Sequence, residues 1–454
     1  MTAFLYRLYY RYWAISHWFG RRLTPAGKFV LVGIVASAWA GIDTNLSMAY
    51  QLFTLLSALM ATAVLLSLRF DCRLTVTRHL PSLASAGQPL VYHLEARNGS
   101  HRSERALVVG EVASDPRPSL EDFAHTPEPK ESTRSRYDRF MRYHRWAWLI
   151  KRNRIADHQP VVIPRMAPGA TLRLRLEVVP QHRGVMQLEA VTVSRTDPLG
   201  LVRAVKVISL PGSIPVLPRR YRVPDLALPG GRKYQSGGVA MAGSVGDSEE
   251  FVSLRDYRPG DPLRRVHWRS WARTGRPIVK EYQDEFFVRH ALVLDTMTSM
   301  AYSRDFETAV SIAASFACSI QTQESLLDLM FVGTEAYCFT AGRGLGGIPK
   351  ILEILAAVGP SRQRFEALAT LVLQRAGRIS SCICILMGWS PSRRRFARRL
   401  EQTGVPITLL AVGPVPPEPV PPPDLGGGSA VHFIQPETAA EQLAALQGVS
   451  GRRQ

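Results

Sequence analysis

Cysteine is scarce in this chain, with five residues in 454. So few, and an odd number, exclude a disulfide-stapled scaffold. Cys382 and Cys384 flank one residue of an apolar run, too close for a relaxed bridge. Cys72, Cys318 and Cys338 show no metal-ligand spacing with histidines, which argues against a zinc site. The thiols read as reduced and the compartment as cytosol-facing. Acids are also short, 37 against 56 Lys and Arg, for a formal charge of +19. Such a balance asks for nucleic acid, an anionic membrane face or an acidic protein. Hydrophobic residues are 46% and charged residues 20%, which excludes a largely disordered or collagen-like chain. The length suits about two to four domains.

Charge is missing from one stretch altogether. Between Phe29 and Leu68 the only charged residue is Asp43. Two apolar arms, Phe29 to Ile42 and Leu46 to Leu68, flank the polar hinge Asp43-Thr44-Asn45. They predict a transmembrane helical hairpin over 29–68, although the first arm is short for a span. Arg21, Arg22 and Lys28 precede it and Arg69, Arg73 and Arg78 follow it. Positive residues stay inside, so the hinge should be outside and the bulk of the chain cytoplasmic, on an inner membrane. Residues 1–28 begin with an acid-free segment mixing Tyr, Trp and Phe with Arg7 and Arg11. Rings and arginines together suit the headgroup layer of anionic membrane lipids.

From Arg73 to about Val223 the period is two. Leu90, Tyr92, Leu94 and Ala96 alternate with Val91, His93, Glu95 and Arg97; Leu172, Leu174, Leu176 and Val178 alternate with Arg173, Arg175 and Glu177. These are half-buried antiparallel strands. Asn98-Gly99-Ser100, Ala167-Pro168-Gly169 and Asp197-Pro198-Leu199-Gly200 are turn signals between them. A β-sandwich-like domain over 70–225 is the simplest way to bury one face of each strand. A basic insertion, 118–160, interrupts it, with Tyr137, Phe140, Tyr143, Trp146 and Trp148 among its cations. Phe140, Tyr143, Ala147 and Ile150 recur at helical spacing and predict an amphipathic helix. Its content suits the inner membrane surface or packing on the sandwich, and nucleic acid only in third place.

The last part, 240–448, alternates buried runs with helical patterns. His290–Leu294, Leu329–Val332, Ser381–Met387 and Ile407–Val412 are strand-like, and helices are predicted near 306–320, 347–357, 363–376, 392–402 and 437–446. Apolar strands alternating with helices imply a doubly wound α/β sheet covered on both faces. Asp295 falls at its ligand-bearing edge. Dinucleotide, P-loop, nucleophile-elbow and HExxH signatures are all absent, so the chain reads as non-enzymatic with no cofactor.

Residues 246–275 carry the strongest local pattern. Asp261-Pro262 reads as an N-cap with proline in the first turn, and Gly275 as a stop, predicting a helix over Pro262–Thr274. Arg264, Arg265, Arg269 and Arg273 lie on it beside Val266, Trp268 and Trp271, with Asp247, Glu249, Glu250, Asp256 and Asp261 just before. Arginine forks can hold those carboxylates, as a structural network or as an interface with Arg269 exposed. The string carried by Glu250, Phe251, Leu254, Arg255, Tyr257, Gly260, Asp261, Arg264, Trp268, Ala272, Arg273 and Thr274 resembles the hallmark of the domain of unknown function 58 family. Arg183-Gly184 and Asp197-Pro198-Leu199-Gly200-Leu201 fit the same family, and the insertion departs from it.

The resemblance implies a von Willebrand factor A-like C-terminal domain. Its divalent-ion loop would be Asp295-Thr296-Met297-Thr298-Ser299, where only Asp295 and Ser299 remain as weak metal candidates. A thioether at Met297 is a poor ligand for a hard ion, and Gly388-Trp389-Ser390 stands where a distant carboxylate would be expected. The resemblance further implies a membrane-anchored interaction protein working with a MoxR-type AAA+ ATPase. A membrane-tethered nucleic-acid binder using the basic insertion is the alternative, disfavoured because no helix-turn-helix, RRM or zinc pattern accompanies the charge.

Overall fold

The structure is a computed structural model that describes residues 2–41, 47–129, 131–224, 233–234, 250–259, 261, 263, 266–283, 286–298, 302–320, 325–342, 347–414 and 431–446. The chain divides into two compact units, Met1–Pro218 and Arg219–Gln454.

The first unit opens with helices α1 (Thr2–Arg22), α2 (Pro25–Ala40) and α3 (Ser47–Leu68). Among the described residues, α3 alone is long and apolar enough to cross a membrane, over Met48–Leu68. Of the predicted pair of arms, α3 has spanning length and α2 is a shorter apolar helix. At about 1.5 Å per residue, the 16 residues of α2 reach about 24 Å, short of a 30 Å hydrocarbon core. The two helices still pack closely, and a Cβ on Gly33 would lie 2.9 Å from Leu56 Cδ1. The Asp43–Asn45 hinge lies outside the described residues.

Among the described residues of this unit nine strands follow: β1 (Leu74–His79), β2 (Ala84–Ser85), β3 (Leu90–Asn98), β4 (Leu107–Ala113), β5 (Ala156–His158), β6 (Val161–Ile163), β7 (Thr171–Pro180), β8 (Gly184–Thr196) and β9 (Arg203–Leu217). They form two sheets, ordered β1-β3-β7-β5 and β2-β9-β8-β4-β6. The two alternating runs of the sequence pair with each other: Leu90, Tyr92, Leu94 and Ala96 stand opposite Val178, Leu176, Leu174 and Leu172. Their buried faces share one core with Leu107, Val109, Met186, Val193 and Ile214 of the other sheet. Inside it, Arg78 of β1 clasps Glu111 of β4 with contacts of 2.6 and 3.2 Å, both side chains almost fully buried. Arg78 also donates to the Leu210 carbonyl of β9, so this ion pair ties the sheets together.

The Asp197–Leu201 turn is a socket for the helices. Asp197 accepts from the amides of Leu199, Leu201 and Val202, and Gly200 takes the left-handed φ of 73° that the turn requires. Leu201 and Val202 bury against Val30, Leu59 and Ala63. Thr24, the N-cap of α2, donates to the Gly200 carbonyl at 2.6 Å. A Cβ on Gly27 would sit 2.1 Å from the Leu201 oxygen. Gly27→Ala should therefore cost about 1–3 kcal/mol and lower the calorimetric melting temperature by several degrees. Gly20→Ala, with nothing within 4 Å, should not lower it.

The insertion forms α4 (Leu120–His125), α5 (Arg136–Met141) and α6 (Tyr143–Asn153). The expected stripe is wrong by position. The backbone breaks at Arg142, whose φ is 55°, and Phe140, Tyr143 and Ala147 are exposed. Trp146, Leu149 and Ile150 form the buried stripe instead. They pack with Phe123 on Leu5 and Tyr9 of α1, so the insertion rests on the N-terminal helix.

The second unit contains β10 (Lys233–Tyr234), β11 (Glu250–Asp256), α7 (Trp268–Thr274), β12 (Ile278–Gln283), β13 (Phe286–Leu294), α8 (Arg304–Ser319), β14 (Ser325–Val332), β15 (Ala336–Ala341), α9 (Ile348–Ala357), α10 (Phe365–Arg375), β16 (Ser381–Met387), α11 (Pro391–Gln402), β17 (Ile407–Val412), β18 (Val431–Ile434) and α12 (Ala439–Ala444). The main sheet runs β15-β14-β13-β16-β17-β18. Its central pairings are parallel, as the continuous apolar runs require, whereas β15 joins β14 antiparallel at one edge and β10 joins β13 antiparallel. Ala291 and Val293 face α10 and α11 within one core. Strand alternation sends Leu292 and Leu294 to the opposite face, where α8 lies along β13, β16 and β17. Helix α8 is buried on nearly every side, because α9 also packs on it. All five cysteines are free thiols.

Candidate functional site

The hallmark begins as a strand. β11 pairs antiparallel with β12, setting Leu254 opposite Lys280 and Arg255 opposite Val279. Glu250 stands opposite Gln283 at the far end of this ladder. After β11 the chain turns back on itself, and the Arg255 guanidinium grips both oxygens of Asp261 at 2.7 and 2.8 Å. Asp261 also accepts from the Arg258 amide at 2.9 Å, and the Tyr257 amide donates to the Pro277 carbonyl. Asp261 is thus the clasp of a turn, not the helix cap predicted for it. The N-cap is His267, and the helix spans only Trp268–Thr274. The physical reason is local: Val266 bridges Val279 and the His267 amide bonds the Ile278 carbonyl, holding these two residues beside β12 and outside the helix. Gly275 ends the helix with a φ of 69°, as its position suggested. Gly260, Pro262, Arg264 and Arg265 lie outside the described residues.

The clasp leaves α7 displayed. Trp268 is 62% exposed and stacks on Trp271 with ring centroids 5.2 Å apart. Arg269 and Arg273 are exposed beside them. The Arg255 fork, then the Arg258 amide, hold the Asp261 carboxyl down to about 2. A depressed carboxylate stabilises fully above its unfolded value of about 4, and that contribution fades as pH falls toward 2. Melting temperature between pH 5 and pH 2.5 should therefore fall less steeply in Asp261→Asn, which should start lower at pH 7.

Asp295 stands at the C-terminal end of β13 and is fully buried. One carboxylate oxygen accepts from the Met297 amide at 3.0 Å. The other accepts from the Met387 amide at 3.0 Å and from Arg393 Nε at 2.6 Å. Arg393 also reaches Ser390 Oγ at 3.1 Å, and its guanidinium lies 5.1 Å from the Phe365 ring centre. The Thr296 hydroxyl donates to the Val332 carbonyl, and Met297 packs into the core under α10. This donor set does not fit a hard divalent cation. The carboxylate already meets three donors, and the neighbouring hydroxyl is committed elsewhere. Ser299 lies outside the described residues. Among the described residues, no group of three or more His, Cys, Asp and Glu could hold a metal ion.

Arg393 is the residue that sequence reasoning missed. It follows β16 by six positions, and β16 is the parallel neighbour of β13, so both chain exits share one sheet edge. That adjacency is the only signal that could have found it. Farther along α11, Arg394, Arg395, Arg398 and Arg399 are all exposed, and no carboxylate pairs with them among the described residues.

Residues 253–417 match the family described as "Protein of unknown function DUF58". The C-terminal unit carries a DUF58 match. It begins inside β11 and takes in the Arg255–Asp261 clasp, α7, and the Asp295–Arg393 edge. The chain is also similar to a Bacillus subtilis (strain 168) protein named "Uncharacterized protein YeaD", 26% identical over 186 residues. That similarity covers 40% of this chain and spans only 44% of the relative's length. Among solved structures, a Salmonella alpha-2-macroglobulin mutant aligns at 14% identity over 36% of this chain and 8% of its own. Its TM-score of 0.18 carries no weight for the fold.

Proposed function

We propose that this chain is a non-enzymatic, membrane-anchored adaptor that works with a MoxR-type AAA+ ATPase in assembling or remodelling protein complexes. The carrying observation is the α7 surface, where Trp268, Arg269 and Arg273 are exposed on an element braced by the Arg255–Asp261 clasp inside the DUF58 match. Exposed tryptophan and arginine on a rigid support are the residues that dominate protein–protein binding energy. The α/β unit is read here as von Willebrand factor A-like, with its C-terminal sheet edge beside the α11 arginines as a second contact for an acidic partner surface.

Anchoring is supported by α3, whose most apolar stretch is only 6% buried and so presents its side chains outward. Cations at both ends of the apolar region favour both ends inside, with the bulk of the chain cytoplasmic at the inner membrane. Nucleic-acid binding is the second reading. In the insertion Trp146 is buried against α1, and Arg134 and Arg145 are paired with Glu128 and Glu131, while Tyr137, Phe140, Tyr143, Arg136 and Arg139 stay exposed.

Two measurements test the reading. A cysteine placed at Thr44 should react with an impermeant reagent from outside, and one at Gln454 should not; the reverse pattern would overturn the topology. Purified full chain in detergent should capture a MoxR-type ATPase from the same organism, without nucleotide, at micromolar affinity or tighter. No saturable capture would remove the ATPase from the proposal.

A further inference from the structure

Helix α1 has two apolar faces, and the fold uses one. Leu5 and Tyr9 are buried against Phe123, Trp146 and Leu149 of the insertion. On the other side Phe4, Leu8, Tyr12, Ile15, Trp18 and Phe19 are 70, 48, 64, 57, 52 and 40% exposed. At 100° per residue these six fall within a sector of about 120°, running about 23 Å along the helix. Arg7 and Arg11 are exposed within or beside the same sector, the Arg22 guanidinium sits 4.9 Å over the Trp18 ring, and the helix contains no acid. A continuous apolar patch of this size on a folded unit marks something that covers it.

We propose that this face of α1 lies in the interface of an anionic bilayer, its rings at the boundary of headgroups and acyl chains and its arginines on lipid phosphates. The inference rests on the reading of α3 as a membrane span. Within the same unit, α1 passes through Leu23 and the Thr24 cap directly into α2, fixed there by the Thr24 amide on the Leu201 carbonyl. Helices α2 and α3 likewise leave Phe29, Val32, Trp39, Leu55, Leu65 and Leu68 exposed, so all three helices of this region display apolar side chains. A helix apolar on one side, with arginines at its border, is the composition that lies in the interface plane. A second copy is the weaker occupant, because a two-fold pairing of identical stripes would gather the Arg7 and Arg11 cations of both copies at one interface to which α1 brings no acid. The insertion then rides on the water side of α1, where its Phe123 and Trp146 pack.

The test uses full chain in nanodiscs of phosphatidylcholine and phosphatidylglycerol, with the exposed Cys338 and half-buried Cys318 changed to serine. A nitroxide is placed at Ile15→Cys on the stripe and, separately, at Arg173→Cys on the outer face of β7. The Ile15 label should collide with oxygen far more than with a water-soluble nickel chelate, and the Arg173 label should show the opposite order. Equal nickel access at both positions would put the stripe in water and overturn the proposal. Spin–spin broadening between Ile15 labels would assign the stripe to a second copy and overturn it as well. Failure of the α3 reading would be distinct, since a nitroxide at Leu55→Cys, exposed on α3, would then collide with the nickel chelate whatever the Ile15 label shows.

Discussion

Arg393→Met should lower the melting temperature of the full chain by on the order of 10 °C. Among the described residues Arg393 is the only cationic group on the fully buried carboxylate of Asp295, and its side chain is itself 13% exposed. Removing one partner of a buried ion pair leaves an uncompensated charge and costs about 3–5 kcal/mol. A unit of this size loses about 2–4 °C for each of those kcal/mol. The Met297 and Met387 amides would still donate to Asp295, which keeps the loss below full exposure of a bare charge. Asp295→Leu with Arg393→Met should recover part of the loss, because an apolar pair of similar volume removes the stranded charge. The recovery is read as a coupling energy in a double-mutant cycle by differential scanning calorimetry. Melting within a degree of the parent for Arg393→Met alone would mean that Asp295 does not depend on the arginine.

Trp146→Ala should release the insertion from α1. Trp146 is 3% exposed and meets Tyr6 and Phe123 edge-on at centroid distances of 5.8 and 5.9 Å. Truncating a buried tryptophan costs about 3–5 kcal/mol. Helices α4, α5 and α6 have only 6, 6 and 11 residues, too few to persist without tertiary packing. The local opening constant should therefore rise by about 100-fold or more, tenfold for each 1.4 kcal/mol. Trypsin cleavage within residues 118–154 should accelerate accordingly, while cleavage in the second unit stays unchanged. Arg145→Ala should act in the same direction. Its fork holds Glu131, and its remaining nitrogen caps the Phe123 and Ala124 carbonyls at 3.0 and 3.1 Å.

What the sequence reveals here depends on distance along the chain. The β3 and β7 strands are readable because alternation is a local signal, and the same regular period fixes their register once they pair. The parallel strands β13, β16 and β17 are readable because burial on both faces leaves nearly unbroken apolar runs. β15 escapes notice since an antiparallel edge strand with exposed Ala336, Tyr337 and Cys338 has neither signature. The insertion misleads because Phe140, Tyr143 and Ile150 share helical spacing, while the break at Arg142 is visible only in the backbone. At the hallmark, Asp261-Pro262 carries an ordinary helix-start signal. It is overridden by pairing of Val266 with Val279, a contact set by β12 downstream. Arg393 lies almost a hundred residues from Asp295, and only the order of strands in the sheet brings them together.

The docking role of the hallmark is tested most directly by equilibrium binding. Full chain in nanodiscs is titrated with a purified MoxR-type ATPase in the absence of nucleotide, comparing the parent with Trp268→Ala plus Arg269→Glu. Both side chains are exposed, so melting should stay within about 2 °C of the parent. Two interface anchors of tryptophan and arginine are together worth enough to weaken binding by about 100-fold or more. A Kd raised by that much at unchanged melting is the expected result; an unchanged Kd at unchanged melting would contradict the assignment of α7 as the docking surface.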